Sequence, residues 1–322
     1  MTRLVSLATC AFILLLTTVG AISQIAAPVA TGSLTETKVA ASALKDNLLG
    51  DPAESRVAVY MPPSYATSPQ RRYPTLYLLH GFTSDIDAFT RGYQGMELTR
   101  TMDEQIARGA AKEMIVVVPS GRNGYFGSFY TNSPVTGRWE DFFAKELIDW
   151  VDAKYRTLRA PESRGIAGHS MGGYGAIMLA MRHPDVFGAV YALSPCCIGI
   201  EGDMDHDNQA WRRAMQIQAR DQLQAKPQSL DDFYATAFIA LSAALSPNPS
   251  KPPLFVDFPF KQQQRLLVVN EDAYTKWRAN LPLYLVEHTA ATCQSCAGSI
   301  WITARSRSSH TSEPRRSCFR TS

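Results

Sequence analysis

The sequence carries little net charge. Its 322 residues include 32 Lys and Arg against 29 Asp and Glu, which gives a formal charge of +3 with histidine neutral. This excess is too small to argue by itself for a nucleic-acid partner, and we expect none. Hydrophobic residues make up 45% of the chain, an ordinary share for a globular protein with a substantial core. The length allows one large domain or two small ones, and α/β domains often reach this size as a single unit.

The N-terminal segment differs from the rest of the chain. Arg3 is followed by an apolar stretch over residues 4–19, and Ala21 and Ser23 then have the spacing that a signal peptidase prefers. We interpret residues 1–23 as a signal peptide, which predicts a secreted or periplasmic protein. A membrane anchor is the alternative, but the apolar stretch is short for a span. We therefore expect no stable membrane span after cleavage.

Cysteine is scarce, with six residues, of which five follow the predicted cleavage point. An odd count in an exported protein leaves at least one thiol unpaired within the chain. Cys196 and Cys197 are neighbours after a predicted strand, and we interpret them as small buried hydrophobes. Cys293 and Cys296 form a lone C-x-x-C. Without a second pair of ligands this predicts no zinc site.

The chain has no internal repeat, and from about Val39 strand patterns alternate with helix patterns. Continuous apolar runs over residues 75–82 and 113–121 are typical of strands that are buried on both faces. Residues 140–155 repeat their apolar positions at helical spacing. The alternation predicts an α/β domain over residues 35–287, built on a doubly wound and mostly parallel sheet.

Residues 201–264 interrupt this alternation. They are polar, rich in Gln and Asp, and contain helical stretches followed by a proline-rich piece. We interpret them as a helical insertion over one end of the sheet, and we call residues 201–264 the cap. The pattern over residues 273–287 then predicts one more helix.

Residues 168–172 read Gly168-His169-Ser170-Met171-Gly172, the G-x-S-x-G pattern of a serine nucleophile. The pattern alone is weak, because it arises by chance in roughly one chain in ten of this length. Here a predicted strand precedes it and a predicted helix follows it, as a nucleophile elbow requires. The alternative is a glycine-rich turn with an incidental serine.

The segment LLHGF ends an earlier buried strand. By itself His80-Gly81 would be a strand-ending turn, but its pairing with the elbow favours a role in catalysis. The backbone N–H groups of Phe82 and Met171 are then the candidates for an oxyanion hole, which stabilises the tetrahedral intermediate of ester cleavage.

These segments together resemble a known family, the putative-esterase family, which holds esterase D (S-formylglutathione hydrolase), feruloyl esterases and mycobacterial mycolyltransferases. The resemblance covers roughly residues 39–287 and is carried by VAVYMPPSY, YPTLYLLHGF, GSFYTNSPVTGRWEDF, KELIDWVDAKYRT, IAGHSMGGYGAIMLAMRHPDVFGAVYALSP and LSPNPSKPP. It implies an α/β-hydrolase fold, Ser170 as nucleophile, a small-molecule ester as substrate, and neither a metal nor an organic cofactor. It also implies a substrate groove lined by residues 121–139 and by the cap. The oligomeric state is left open.

Two members of a catalytic triad are not found by this resemblance. The family places its acid in a motif like D-x-G-x-x-D-x-F and its base in a later G-x-H, both after the cap. In this chain the last Asp is Asp272, at the start of a predicted helix, and neither His288 nor His310 follows a glycine in that manner. His183 matches a structural helix end of the family, and His206 lies in a polar stretch that is typical of a solvated surface. No residue therefore inherits the role of acid or base.

The last 35 residues differ in composition from the rest. Residues 288–322 contain no Asp, no Lys and one Gly. One choice of synonymous codons for residues 300–311, read from its third base, encodes LDYGTEPEFTH, which resembles the acid motif of the family. We interpret residues 288–322 as an aberrant tail, frameshifted or disordered, and expect the C-terminal strands of the fold to be missing. The alternative is a divergent natural C-terminus.

The sequence thus predicts an exported serine esterase that forms an acyl-serine intermediate, with the activity of this particular chain in question. An acyltransferase of the same fold is one alternative, because an alcohol can replace water in releasing the acyl group. The other alternative is a non-catalytic remnant or binding protein that keeps the pocket without the triad.

Overall fold

The computed structural model describes residues 30–92 and 96–290. Within these ranges the strands, in chain order, are β1 (Ser33–Ala40), β2 (Glu54–Met61), β3 (Thr75–Leu79), β4 (Ile115–Pro119), β5 (Asn132–Ser133), β6 (Gly137–Arg138), β7 (Arg164–His169), β8 (Ala189–Leu193), β9 (Phe260–Gln263) and β10 (Leu266–Val269). The helices are α1 (Asp87–Thr90), α2 (Leu98–Ala107), α3 (Trp139–Asp141), α4 (Leu147–Lys154), α5 (Met171–Arg182), α6 (Ala210–Gln216), α7 (Leu230–Leu245), α8 (Glu271–Arg278) and α9 (Pro282–Ala290).

Six strands form one mixed sheet in the order β1-β2-β4-β3-β7-β8. The pairs β1–β2 and β2–β4 are antiparallel, and β4, β3, β7 and β8 run parallel. The predicted α/β fold with its mostly parallel sheet is confirmed. The parallel strand β4 is apolar and all five of its residues are buried, as expected of a strand that is covered on both faces.

The register of the parallel strands fixes where the site lies. Leu79 of β3 pairs with Gly168 of β7, and His169 at the end of β7 pairs with Leu193 at the end of β8. The carboxyl ends of these strands therefore meet at one edge of the sheet, which is where ligands bind in open α/β sheets. The residues that follow β3, β7 and β8 are brought together at this edge.

Helix α5 packs closely on the sheet. Its residues Met171 to Leu179 are all buried, and it contacts both β7 and β8. Small residues make this possible, because a Cβ atom placed on Gly175 would lie 2.2 Å from the ring of Tyr130. The helix is thus buried on every side over its first two turns, which holds the start of α5 rigidly against the ends of the strands.

The cap contains two helices that share an aromatic core. Trp211 of α6 stacks on Phe238 of α7 with ring centroids 3.8 Å apart. Helix α7 is buried along most of its length. The β9–β10 hairpin begins inside the cap and ends beyond its predicted boundary at residue 264.

The helix predicted over residues 273–287 is two helices in the structure. Helix α8 ends at Arg278 and α9 begins at Pro282. Proline has no N–H to continue the helical ladder, but it fits the first turn of a new helix. Helix α9 runs to Ala290, so it crosses the predicted boundary at residues 287 and 288.

The predicted signal peptide, residues 1–23, lies outside the described residues. So does the predicted tail from residue 291 onward, including His310 and the C-x-x-C pair Cys293 and Cys296. In the part of the chain that the structure describes, no helix combines the length and the apolar character needed to cross a membrane.

Strand β8 forms one edge of the main sheet within residues 30–92 and 96–290. Tyr191 is 65% exposed and Leu193 is 50% exposed on this strand. An exposed apolar edge with unpaired backbone groups invites pairing with other chains.

We expect Tyr191→Lys to reduce aggregation, because a charge on an exposed edge strand disfavours edge-to-edge pairing. The free energy of unfolding should change by less than about 0.5 kcal/mol, as is usual for a surface substitution. Light scattering at matched protein concentration measures the first quantity and urea unfolding the second. Leu266→Lys is the matched control, because Leu266 is 70% exposed but belongs to the β9–β10 hairpin. Equal effects of the two substitutions would contradict a role for the β8 edge.

Candidate active site

Ser170 occupies the sharp turn between β7 and α5, as the G-x-S-x-G pattern predicts. Its backbone has φ 56° and ψ −118°, a conformation that costs a non-glycine residue about 1–3 kcal/mol. Three hydrogen bonds hold it. The Ser170 N–H donates to the Leu193 carbonyl at 3.1 Å, and the Ser170 carbonyl accepts from the N–H groups of Tyr174 at 3.0 Å and Cys196 at 3.2 Å.

Two glycines of the pattern allow this turn to form. A Cβ atom on Gly168 would lie 2.3 Å from the carbonyl carbon of Gly172, and one on Gly172 would lie 2.2 Å from the Leu79 carbonyl oxygen. The clashing atoms are backbone, which cannot move aside as a flexible side chain can. The backbones of β7, α5 and β3 thus approach one another closely only because both positions lack a side chain.

The predicted oxyanion-hole residues lie on two sides of Ser170. The turn after β3 passes beside Ser170, since a Cβ atom on Gly81 would lie 3.5 Å from the Ser170 Cβ. Phe82 and Met171 are both buried. Among the described residues neither of their N–H groups has a hydrogen-bond partner, whereas buried N–H groups are normally paired. Two such donors, one at the start of a 12-residue helix, suit a developing negative charge.

An aromatic loop, residues 125–130, packs against the turn after β3 that contains Phe82, which we call the oxyanion turn. From the sequence, no individual role was assigned to the residues of this loop. Phe129 stacks on Phe82 with centroids 5.6 Å apart, and the Phe126 carbonyl accepts from the Thr83 N–H at 3.1 Å. Gly127 fits between side chains, because a Cβ atom there would lie 2.5 Å from the Met171 sulfur. The available signal was the run YFGSFY at residues 125–130, a glycine among aromatic residues in a loop.

His80 is engaged in this support and is not free to act as a base. Its Nε2 accepts from the Gly121 N–H at 2.8 Å, and its Nδ1 lies 2.9 Å from the Gly81 carbonyl oxygen. Since a carbonyl can only accept, the proton is on Nδ1 and the ring is neutral. Burial lowers the pKa of His80, which keeps it neutral. The Tyr130 hydroxyl donates to the His80 carbonyl at 2.7 Å and fixes the same residue from its backbone side.

None of the remaining described histidine side chains forms a hydrogen bond with the Ser170 side chain. His169 is exposed, and within residues 30–92 and 96–286 no hydrogen bond joins any side chain to the Ser170 hydroxyl. His183 lies 3.0 Å from Glu140 at the end of α5, in the structural position that the resemblance implies. His206 is exposed and pairs with its neighbours Asp205 and Asp207.

The cap reaches the oxyanion turn through α7. The ring of Phe233, near the start of that helix, meets the ring of Phe82 edge-on with centroids 5.8 Å apart. A second connection joins the loop to the segment after α7, because the Tyr125 hydroxyl donates to the Leu254 carbonyl at 2.7 Å. The Phe82 side chain, which borders the predicted oxyanion hole, is therefore in contact with the cap. No local sequence pattern predicts this contact, because about 150 residues separate Phe82 from Phe233.

One group of side chains in the described ranges is close enough together to hold a metal ion. It consists of Asp205, His206 and Asp207, whose ligand atoms lie within 4.8 Å of one another. The group consists of consecutive residues on the surface of the cap, and its histidine already pairs with both carboxylates. This group belongs to the cap and not to the turn that holds Ser170. The expectation that no metal or cofactor takes part stays a prediction.

Comparison with known proteins agrees with this geometry. The model of the family described as Putative esterase matches residues 52–232, a little more than half of the chain. Esterase Rv1288 of Mycobacterium tuberculosis is 37% identical over 129 residues, which cover 39% of this chain and 26% of that protein. The Endo-1,4-beta-xylanase/feruloyl esterase of Xylanibacter ruminicola is 32% identical over 134 residues, which cover 40% of this chain and 18% of that protein.

These curated relatives are much longer than the shared region, and the chain spans at most about a quarter of their length. A solved structure described as a ferulic acid esterase is 30% identical with a TM-score of 0.44. The match covers 51% of this chain and 60% of that chain. The family match includes β3, β7 and β8, so it contains both parts of the candidate site.

We expect Gly168→Ala to lower the free energy of unfolding by about 3 kcal/mol or more, because the new methyl group would meet backbone atoms of Gly172. Urea unfolding followed by fluorescence measures the change. Gly165→Ala is the control, since Gly165 lies in the same strand and the nearest atom to its Cβ atom would be in the Leu76 side chain at 3.4 Å, with backbone oxygens no nearer than 3.9 Å. The control should change stability by about 1 kcal/mol or less. Similar losses in both variants would mean that the close approach at the elbow is not what limits this position.

Proposed function

The chain belongs to the putative-esterase family, and from that premise we propose that it is an exported serine esterase that cleaves carboxylic esters through an acyl-serine intermediate. The observation that carries the proposal is the arrangement at Ser170. A serine in a strained strand-to-helix turn lies beside two buried N–H groups that have no partner among the described residues. Export depends on the interpretation of residues 1–23 as a signal peptide.

In this proposal the Ser170 Oγ attacks the carbonyl carbon of the ester and loses its proton to a general base. The carbonyl oxygen becomes an oxyanion that accepts hydrogen bonds from the N–H groups of Phe82 and Met171. Removing one such donor from a serine hydrolase costs a factor of about 10²–10³ in turnover. The alcohol then leaves with the proton, and water releases the acyl group in a second step with the same stabilisation.

One observation favours a second candidate, a remnant that has lost turnover. A serine hydroxyl needs a base to become a good nucleophile, and no described side chain hydrogen-bonds the Ser170 hydroxyl. The sequence after Glu287 also lacks the motifs that supply the acid and base in the family. We therefore propose that residues 288–322 are a frameshifted tail and that the chain as written has at most trace activity.

We expect Ser170→Ala to abolish covalent labelling by a fluorophosphonate probe and to remove any turnover of a short-chain p-nitrophenyl ester. Ser250→Ala, in an exposed loop, should leave both unchanged. Intact-mass analysis detects the label and absorbance at the p-nitrophenolate band measures turnover. Turnover at the unaltered rate in Ser170→Ala would overturn the assignment of the nucleophile.

The same assay separates the two candidates. A second version of the chain, in which the alternative reading frame is restored after Glu287, should turn over the ester faster by a factor of up to about 10⁶, since a missing base and acid cost nearly as much as the whole triad. If the chain as written already turns over at about 10 per second, an ordinary enzymatic rate, it has a base, and His288 and His310 become the first residues to substitute.

We further propose that the cap limits the size of the acyl group, because Phe233 lies against Phe82 beside the predicted oxyanion hole. Phe233→Ala should raise the ratio of kcat/KM for a p-nitrophenyl octanoate to that for the acetate by about tenfold, as one change of pocket size can. Phe258→Ala is the control, because the Phe258 ring also lies in the cap but packs on Trp211 and not on Phe82 or Phe233. An unchanged ratio in Phe233→Ala, measured in the version with the highest activity, would contradict the proposal.

A further inference from the structure

The turn after β8 carries two adjacent cysteines in a strained backbone. Ser194 has φ 42° and Cys197 has φ 62°, both in the left-handed region that favours glycine. Cys196 and Cys197 are free cysteines of intermediate exposure that pack against the main core, so the predicted burial is partial. Each of the two residues keeps part of its surface in contact with solvent.

This turn is part of the support of the nucleophile. The Leu193 carbonyl, one residue before the turn, accepts from the Ser170 N–H, and the Cys196 N–H donates to the Ser170 carbonyl. The turn also packs on the start of α5, because a Cβ atom on Gly173 would lie 3.0 Å from the Cα of Pro195. A change in the turn therefore acts directly on the hydrogen bond from the Cys196 N–H and, through the adjoining Leu193, on the hydrogen bond from the Ser170 N–H.

The two thiols interact with each other. Burial raises the pKa of the Cys197 thiol, and the neighbouring Cys196 side chain raises it further. Cys197 is therefore not the thiol that attacks the external disulfide first, since the thiolate is the nucleophile in disulfide exchange.

We propose that Cys196 and Cys197 are a redox-modification site, a vicinal dithiol that a small-molecule disulfide oxidises reversibly, and that its oxidation loosens the backbone of Ser170. Cys196 attacks the disulfide as thiolate, forms a mixed disulfide and releases one thiol. Cys197 then attacks the Cys196 sulfur, closes the bond between the neighbours and releases the second thiol. The dithiol loses two hydrogen atoms, and the small disulfide gains them.

The short distance between neighbouring residues makes a Cys196–Cys197 disulfide easy to reduce. Neighbouring Cα atoms across a trans peptide are about 3.8 Å apart, and disulfides usually join Cα atoms that are about 4.4–6.8 Å apart. A disulfide with such strain is more easily reduced, and strained disulfides are the regulatory ones. Closing the ring must also change the turn from its reduced shape, which holds the Ser170 N–H and carbonyl.

The test uses the full chain and does not depend on esterase activity. Trypsin releases residues 183–212 as one peptide that contains Cys196 and Cys197 and no other cysteine. After treatment with glutathione disulfide we expect this peptide to lose two hydrogens in mass, and dithiothreitol to restore them. Hydrogen exchange at the Ser170 amide should become at least about tenfold faster in the oxidised protein. Because neither readout needs turnover, a failure of the proposed esterase function leaves both interpretable.

Two further measurements distinguish a dithiol site from a loss of signal that is caused by misfolding of a variant. In reduced wild-type protein, phenylarsine oxide should bridge both thiols of this peptide, and a dithiol should reverse the adduct. Cys196→Ser and Cys197→Ser should each lose the two-hydrogen change and the arsenical bridge. A peptide that keeps two free thiols, or that gains only glutathione adducts, would overturn the dithiol site. Unchanged exchange at Ser170 in fully oxidised protein would overturn its connection to the nucleophile.

Discussion

The structure around the site depends on one strained residue. Ser170 has a positive φ although it is not glycine, and this conformation persists only where its neighbours leave no alternative. Gly168 and Gly172 provide the space, since a side chain at either position would meet backbone atoms. The hydrogen bonds to Leu193 and Cys196 then fix the turn from the side of β8. The serine hydroxyl is thereby set at the end of the sheet, clear of the strand that precedes it.

The same constraint extends to the oxyanion turn and to the loop that supports it. Phe126, Phe129 and Tyr130 also have positive φ values, 67°, 50° and 53°. Three bulky residues in this region are costly, and the side chains of Phe129 and Tyr130 offset the cost by packing on Phe82 and by bonding to His80. Two strained segments thus support each other, and the N–H groups of Phe82 and Met171 remain without partners between them.

Local patterns predicted the sheet and the elbow, because parallel strands are buried on both faces and therefore read as continuous apolar runs, as in β3 and β4. The glycines of the elbow were equally predictable from the sequence, since they are needed where backbone segments next to Ser170 come into close contact. The contact between Phe233 and Phe82 was not, because it joins residues far apart in the chain and has no periodic signal. The left-handed aromatic loop was missed for a related reason. Nothing local favours positive φ at Phe129 or Tyr130, and only the tertiary contacts with the oxyanion turn stabilise it.

Two features of the described residues converge on the space beside β8. The outer edge of β8 exposes Tyr191 and Leu193, and the Ser170 hydroxyl has no side-chain partner. The register of β7 and β8 places the carboxyl end of β8 next to Ser170. A further parallel strand on that edge would cover the apolar residues, and its own carboxyl end would arrive beside the nucleophile, where a base is needed. If the proposed esterase function holds, stability of the sheet and activation of the serine would be one structural requirement, because an element that covered the edge would also be placed to carry the base.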